Sequence, residues 1–140
     1  DLDDATVRAG VQAVFDEPSR GNYIVAETLS GPDSPDSADG PTGPANKIVG
    51  GLLITHEWSD WRNGDIWWIQ SVYVDSDYRR KGVYRAMYAA IVNAARRANN
   101  VAGIRLYVDR NNEIGHSVYE NLGMQQAHYN IYEVDFVLGE

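Results

Sequence analysis

Apolar residues recur along this chain at two different spacings, and the switches between them predict most of its elements. From Asp4 to Phe15, Val7, Val11, Val14 and Phe15 fall at helical spacing. Asp3 and Asp4 stand at the end where a helix dipole favours negative charge. Pro18 and Gly21 close that segment. Asn22–Leu29 and Ile48–Glu57 read as strands. Trp58–Asp65 reads as a turn with Asn63-Gly64 as its hairpin signal, and Trp67–Val74 as a third strand. Over Val83–Ala98 the period returns to that of a helix: Val83, Met87, Ile91 and Ala94/Ala95 make one stripe, while Arg85, Asn93, Arg96 and Arg97 stay polar. A short strand, Ile104–Val108, then leads to a third helix that stops at Gly123. His128–Leu138 alternates its side chains and predicts a last strand with one aromatic-rich face.

Residues 30–46 read SGPDSPDSADGPTGPAN, which holds four of the five prolines and almost nothing apolar. Such a stretch cannot bury enough surface to order itself, so it is expected to be a mobile hairpin loop. The chain of 140 residues is therefore read as one domain, 1–140, and not as two joined by a linker. With no cysteine, a disulfide framework and a thiolate metal site are both excluded, and nothing resembles a metal site of another kind. A net charge of −8 argues against a nucleic-acid partner and suits a cationic one. No apolar run approaches the roughly 20 residues that cross a bilayer, and DLDDATVRAG lacks signal-peptide character. No membrane partner and a cytoplasmic location are expected.

The chemistry concentrates in Ile66–Ala98. Here an apolar strand runs through a polar turn into Arg79-Arg80-Lys81-Gly82, and a helix follows at once. The first turn of a helix has amides without intrahelical partners and a positive dipole end; three adjacent cations reinforce that pole. Such a corner suits a phosphate or diphosphate. Neither GxGxxG nor GxxxxGK[ST] fits, because both need more glycines.

What fits is Arg-x-x-Gly-x-x at Arg79–Tyr84, which resembles the acetyl-CoA loop (Gln/Arg-x-x-Gly-x-Gly/Ala) of the GNAT superfamily of N-acetyltransferases. Tyr84 departs from the small residue usual there. A second stretch, LYVDRNNEIGHSVYENLGM, resembles the family's Asn-x-x-Ala-x-x-x-Tyr-x-x-x-Gly-Phe through Asn112, Gly115, Tyr119, Gly123 and Met124. The resemblance implies an α/β (α+β) fold with a mixed, mainly antiparallel sheet flanked by helices on both faces. It also implies a strand and helix ahead of Asp1, expected to be missing from this sequence.

The resemblance further implies an N-acetyltransferase that moves an acetyl group from acetyl-CoA to a primary amine, small or peptide-borne, by direct transfer. The co-substrate would lie along the backbone of Val72, Tyr73 and Val74, with its diphosphate on Arg79, Arg80, Lys81, Gly82, Val83, Tyr84 and Arg85. Asn112 would contact it or cap its own helix. Tyr119 would be the acid for the leaving thiolate, since a phenol is protonated at neutral pH. Many family members carry a basic Glu where this chain has Gln70, which cannot take a proton. Glu57, His56 and Glu133 are the remaining candidates for the base, beside a water relay through Gln70 and Ser71 or an amine that arrives neutral. His116 is expected to face solvent. Glu57–Gly64, with Trp58 and Trp61, could recognise an amine or aromatic acceptor through cation–π contact, or cover a sheet edge or a homodimer interface. The rival reading is a non-catalytic acyl-CoA-binding or regulatory module on the same scaffold.

Overall fold

The computed structural model describes residues 3–28 and 46–137; most of the expected loop at 30–46 lies outside them. Helix α1 spans Asp4–Asp16, followed by a 3₁₀ turn at Pro18–Arg20. The strands are β1 (Asn22–Glu27), β2 (Ile48–Ser59), β3 (Gly64–Val74) and β4 (Val101–Leu106); α2 (Val83–Arg97) lies between β3 and β4, and α3 (Glu113–Asn121) follows. The chain divides into two compact units, one made of its two ends, Asp1–Ser19 and Val108–Glu140, and the other of Arg20–Tyr107.

The Arg20–Tyr107 unit holds the sheet, in the order β1-β2-β3-β4. β1 and β2, and β2 and β3, pair antiparallel; β3 and β4 pair parallel, so α2 serves as the long crossover that a parallel pair requires. Leu52, Ile54 and Ile69 meet Met87 and Ile91 of α2 in a fully buried cluster, bordered by Ile24, Trp67, Val83, Ile104 and Leu106. The helix forms because residues 87, 91 and 95, one turn apart, are all buried on this face. Arg96 and Arg97 complement the dipole at its far end.

Glycine sets how closely α2 lies on the sheet. A Cβ on Gly50 would come within 2.9 Å of Val83 Cγ1 and 3.3 Å of Met87 Cε, so only a bare backbone admits the first turn of the helix here.

In the unit formed by the ends, Asp3 caps α1 by accepting from the Thr6 amide at 2.9 Å and its hydroxyl at 2.8 Å. These bonds stabilise the carboxylate and lower its pKa. Asn112 caps α3. At the other end of α3, Gly123 (φ 85°) donates to the Glu120 oxygen and Met124 to that of Tyr119, the paired bonds of a Schellman stop.

Three expectations are corrected. The hairpin turn is shorter than Trp58–Asp65, because Trp58 pairs with Asp65 and Ser59 with Gly64, which leaves only residues 60–63 to reverse the chain. The fourth strand starts at Val101, where Asp65 supplies a partner, and ends at Leu106. No strand forms over residues 128–137; Tyr132 and Phe136 are each 93% exposed, and Leu138 lies outside the described residues. An alternating pattern shows that a segment can present two faces, but a strand exists only when a neighbour takes its hydrogen bonds.

Candidate functional site

The candidate site is the far end of β3 and the corner that follows it. β4 pairs with β3 only from Asp65 to Ile69, and its last partner is Leu106. β3 runs on to Val74, held by β2 alone among the described strands, so Gln70–Val74 turns a bare edge toward the side β4 has left. Ser71, Val72 and Tyr73 are exposed.

That edge is kinked. Leu53 pairs with Gln70 and Gly51 with Tyr73, so Ser71 and Val72 together oppose Leu52 alone. Ser71 has φ 51°, an uncommon conformation for a serine. The bulge shifts the side-chain alternation by one position. Before it Trp67 and Ile69 face the core; after it Val74 does. Sequence reasoning missed this bulge, because no glycine or proline marks it.

After Val74 the chain enters a tight, basic corner. Asp75 donates its amide to the Val49 oxygen at 2.8 Å, and its carboxylate accepts from the Asp77 amide at 3.0 Å, which sets the 3₁₀ turn Ser76–Tyr78. Arg79 turns its Nε back to the Val74 oxygen at 3.1 Å. Arg80 (φ 61°) and Gly82 (φ 81°) are both left-handed, and α2 begins at Val83. The first bond of its ladder is Ala86 N to Gly82 O at 3.0 Å, so the amides of Gly82–Arg85 precede the ladder. No side chain caps this end and no acidic residue occupies its first turn, in contrast to α1 and α3. Arg79, Arg80, Lys81 and Arg85 are exposed around it. The Tyr84 side chain packs on the core cluster, its ring centroid 6.3 Å from that of Tyr88, which leaves the backbone side of this turn clear of it.

Within the Arg20–Tyr107 unit, the candidates Gln70 and Glu57 lie apart. Gln70 lies at the start of the bare edge, and its amide donates to Thr55 Oγ1 at 3.1 Å. Glu57 pairs across with Ile66, four residues or about 13 Å along the strand from Gln70. Its carboxylate accepts from Trp68 Nε1 at 3.1 Å and faces Arg105 at 3.5 Å. Trp68 stacks on Tyr107, ring centroids 4.5 Å apart. Glu57 thus belongs to an aromatic and ionic cluster that spans three strands. His56 lies beside Trp67, and Glu133 is exposed in the segment that forms no strand. His116 has Nε2 within 3.2 Å of the Asp109 oxygen. Trp58 and Trp61 are exposed.

In the unit formed by the ends, Tyr119 lies half-buried on α3, and burial raises its phenol pKa above the usual value of about 10. Asn112 Oδ1 accepts from the Gly115 amide at 2.9 Å, the helix cap that was one of its two expected roles. Among the described residues no group of three or more His, Asp or Glu could hold a metal ion. None of the described helices is long and apolar enough to cross a membrane.

The site is thus a strand that leaves its parallel neighbour and leads to an uncapped, basic helix start. Residues 33–124 match the acetyltransferase (GNAT) family. The chain belongs to the GNAT acetyltransferase family. Its structure superposes on a possible acetyltransferase from Clostridium difficile 630 with a TM-score of 0.77 and 35% identity, over 97% of this chain and 79% of that one. An acetyltransferase from Trypanosoma brucei gives 0.62 at 21% identity, over 93% and 79% of the two chains. The ribosomal-protein-alanine N-acetyltransferase of Brucella melitensis biovar Abortus 2308 gives 0.55 at 21%, over 64% and 63%. These last two share the fold. No curated protein matches the chain. The mixed α/β architecture, with a four-stranded sheet and three α-helices among the described residues, is that of a GNAT domain, and the family supports acyl transfer as its chemistry.

Proposed function

We propose that this GNAT domain transfers an acetyl group from acetyl-CoA to a primary amine by direct attack in a ternary complex. The observation that carries the reading is the course of β3, whose bare edge from Gln70 to Val74 leads into the uncapped start of α2. Acetyl-CoA would supply an activated acyl carbon, a thiolate leaving group and a diphosphate anchor. The residues present fit each part. Backbone groups of Val72, Tyr73 and Val74 can pair with pantetheine amides as a short added strand. The amides of Gly82–Arg85, with Arg80, Lys81 and Arg85 around them, suit the diphosphate. The bulge at Ser71 and Val72 turns strand amides out of the ladder, where one can donate to the acetyl oxygen; such a donor typically changes the rate by ~10²–10³.

Tyr119 is the proton donor to the sulfur in this reading. The assignment comes from its place in the second motif and from its protonation, which burial reinforces. Gln70 cannot act as the base, and we assign Glu57 to holding Trp68 and Arg105. The amine therefore arrives neutral or gives its proton to water near Gln70.

The amide of Gln70, bonded to Thr55 where a basic carboxylate is usual, favours a second reading, that of a non-catalytic acyl-CoA-binding module. Acetyl-CoA turnover against a panel of amines separates the two, with wild type beside Tyr119→Phe. Turnover that falls at least tenfold in the variant supports the enzyme. Tight CoA binding with no turnover on any amine supports the module.

A further inference from the structure

Lys47, the residue before β2 begins, belongs to neither motif, yet it reaches the basic corner from a distant part of the sequence. Its Nζ lies 3.1 Å from Asp75 Oδ2 and 5.1 Å from the Tyr78 ring centroid. Asp75 and Tyr78 bound the 3₁₀ turn that feeds Arg79–Gly82. The Tyr78 amide donates to the Asp75 oxygen at 2.9 Å, and Lys81, inside the loop, lies over the same ring at 5.3 Å. Tyr78 thus has one ammonium from the residue just before β2 and one from the loop. A single cation outside the corner therefore ties together its first carboxylate, its aromatic ring and, through that ring, the loop itself.

We propose that Lys47 is a positioning residue, which holds the corner 75–82 ordered before any anion arrives. The proposal rests on the reading of this corner as the donor's diphosphate site. Lys47 need not touch the donor. It removes the ordering cost that a loose loop would charge against binding. Lys47 is exposed and Asp75 half-buried, so the pair adds only modestly to global stability, and its main effect is on the loop. Lys47 holds its proton more tightly because Asp75 accepts from it, which agrees with a persistent contact.

The test has two arms. In ligand-free protein, hydrogen–deuterium exchange of the segment 76–82 is compared among wild type, Lys47→Met and Lys47→Arg. Lys47→Met is expected to speed exchange there by about threefold or more with the rest of the chain unchanged, and Lys47→Arg to restore it. With acetyl-CoA, Lys47→Met is expected to raise KM about three- to tenfold at an unchanged kcat, an effect not additive with Asp75→Asn. Unchanged exchange at 76–82, or faster exchange with KM unmoved, overturns the proposal. If wild type binds no CoA, the reading of the site fails, and the exchange arm alone decides whether Lys47 braces the corner.

Discussion

The Arg79 guanidinium donates through Nε to the backbone oxygen of Val74 at 3.1 Å, and so closes the corner between the last residue of β3 and the loop before α2. The motif's first residue thus acts on the strand as well as on the loop. Replacing it with Ala removes this bond and a cation together, whereas Lys keeps the charge and loses the planar fork. Arg79→Lys is expected to lower CoA affinity nearly as much as Arg79→Ala. Each should cost about 1 kcal/mol of stability, read by titration calorimetry and urea unfolding.

Gly82 and Gly50 test two different reasons for glycine. Nothing lies within 4 Å of a Cβ built on Gly82, so Gly82→Ala costs only its left-handed backbone, about 1–2 kcal/mol. Gly82→Asn should cost less, because Asn tolerates that region. Gly50→Val meets Val83 instead, and is expected to displace the start of α2 and lower CoA affinity more than Gly82→Asn does. Calorimetric Kd values for the three variants check the order.

Asn112 and Gly115 act as one unit. A Cβ on Gly115 would stand 2.7 Å from Asn112 Nδ2, so the alanine usual in the family cannot coexist with this cap as it stands. Gly115→Ala and Asn112→Ala are each expected to cost about 1 kcal/mol, and the double variant far less than their sum. Thermal melts of the four proteins give the coupling.

The Lys47–Asp75 pair gives a pH dependence of known sign. The Asp77 amide and then Lys47 hold the Asp75 carboxyl below the usual carboxylate range. Its contribution is therefore present above about pH 4 and is lost as pH falls through the lowered value. Asp75 holds the Lys47 ammonium above its usual range, so that contribution is full below about pH 10 and is lost as pH rises further. The difference in urea midpoint between wild type and Asp75→Asn is expected to be constant from pH 5 to 9 and to shrink toward pH 3.

The family, the helices and the strand cores were legible because local pattern suffices for them. Met87, Ile91 and Ala95 announce the buried face of α2, Asp3 and Asp4 announce the start of α1, and Arg79-x-x-Gly82 announces the corner. Each is settled by residues within a turn or two of each other. The bulge at Ser71, the loss of β4 after Ile69, the closeness allowed by Gly50 and the contact of Lys47 with Asp75 were not legible. Each depends on which strand lies beside which, and at what register. The missing strand over 128–137 belongs with them: its alternation is real, but hydrogen-bond partners come from other parts of a fold and not from a segment's own side chains.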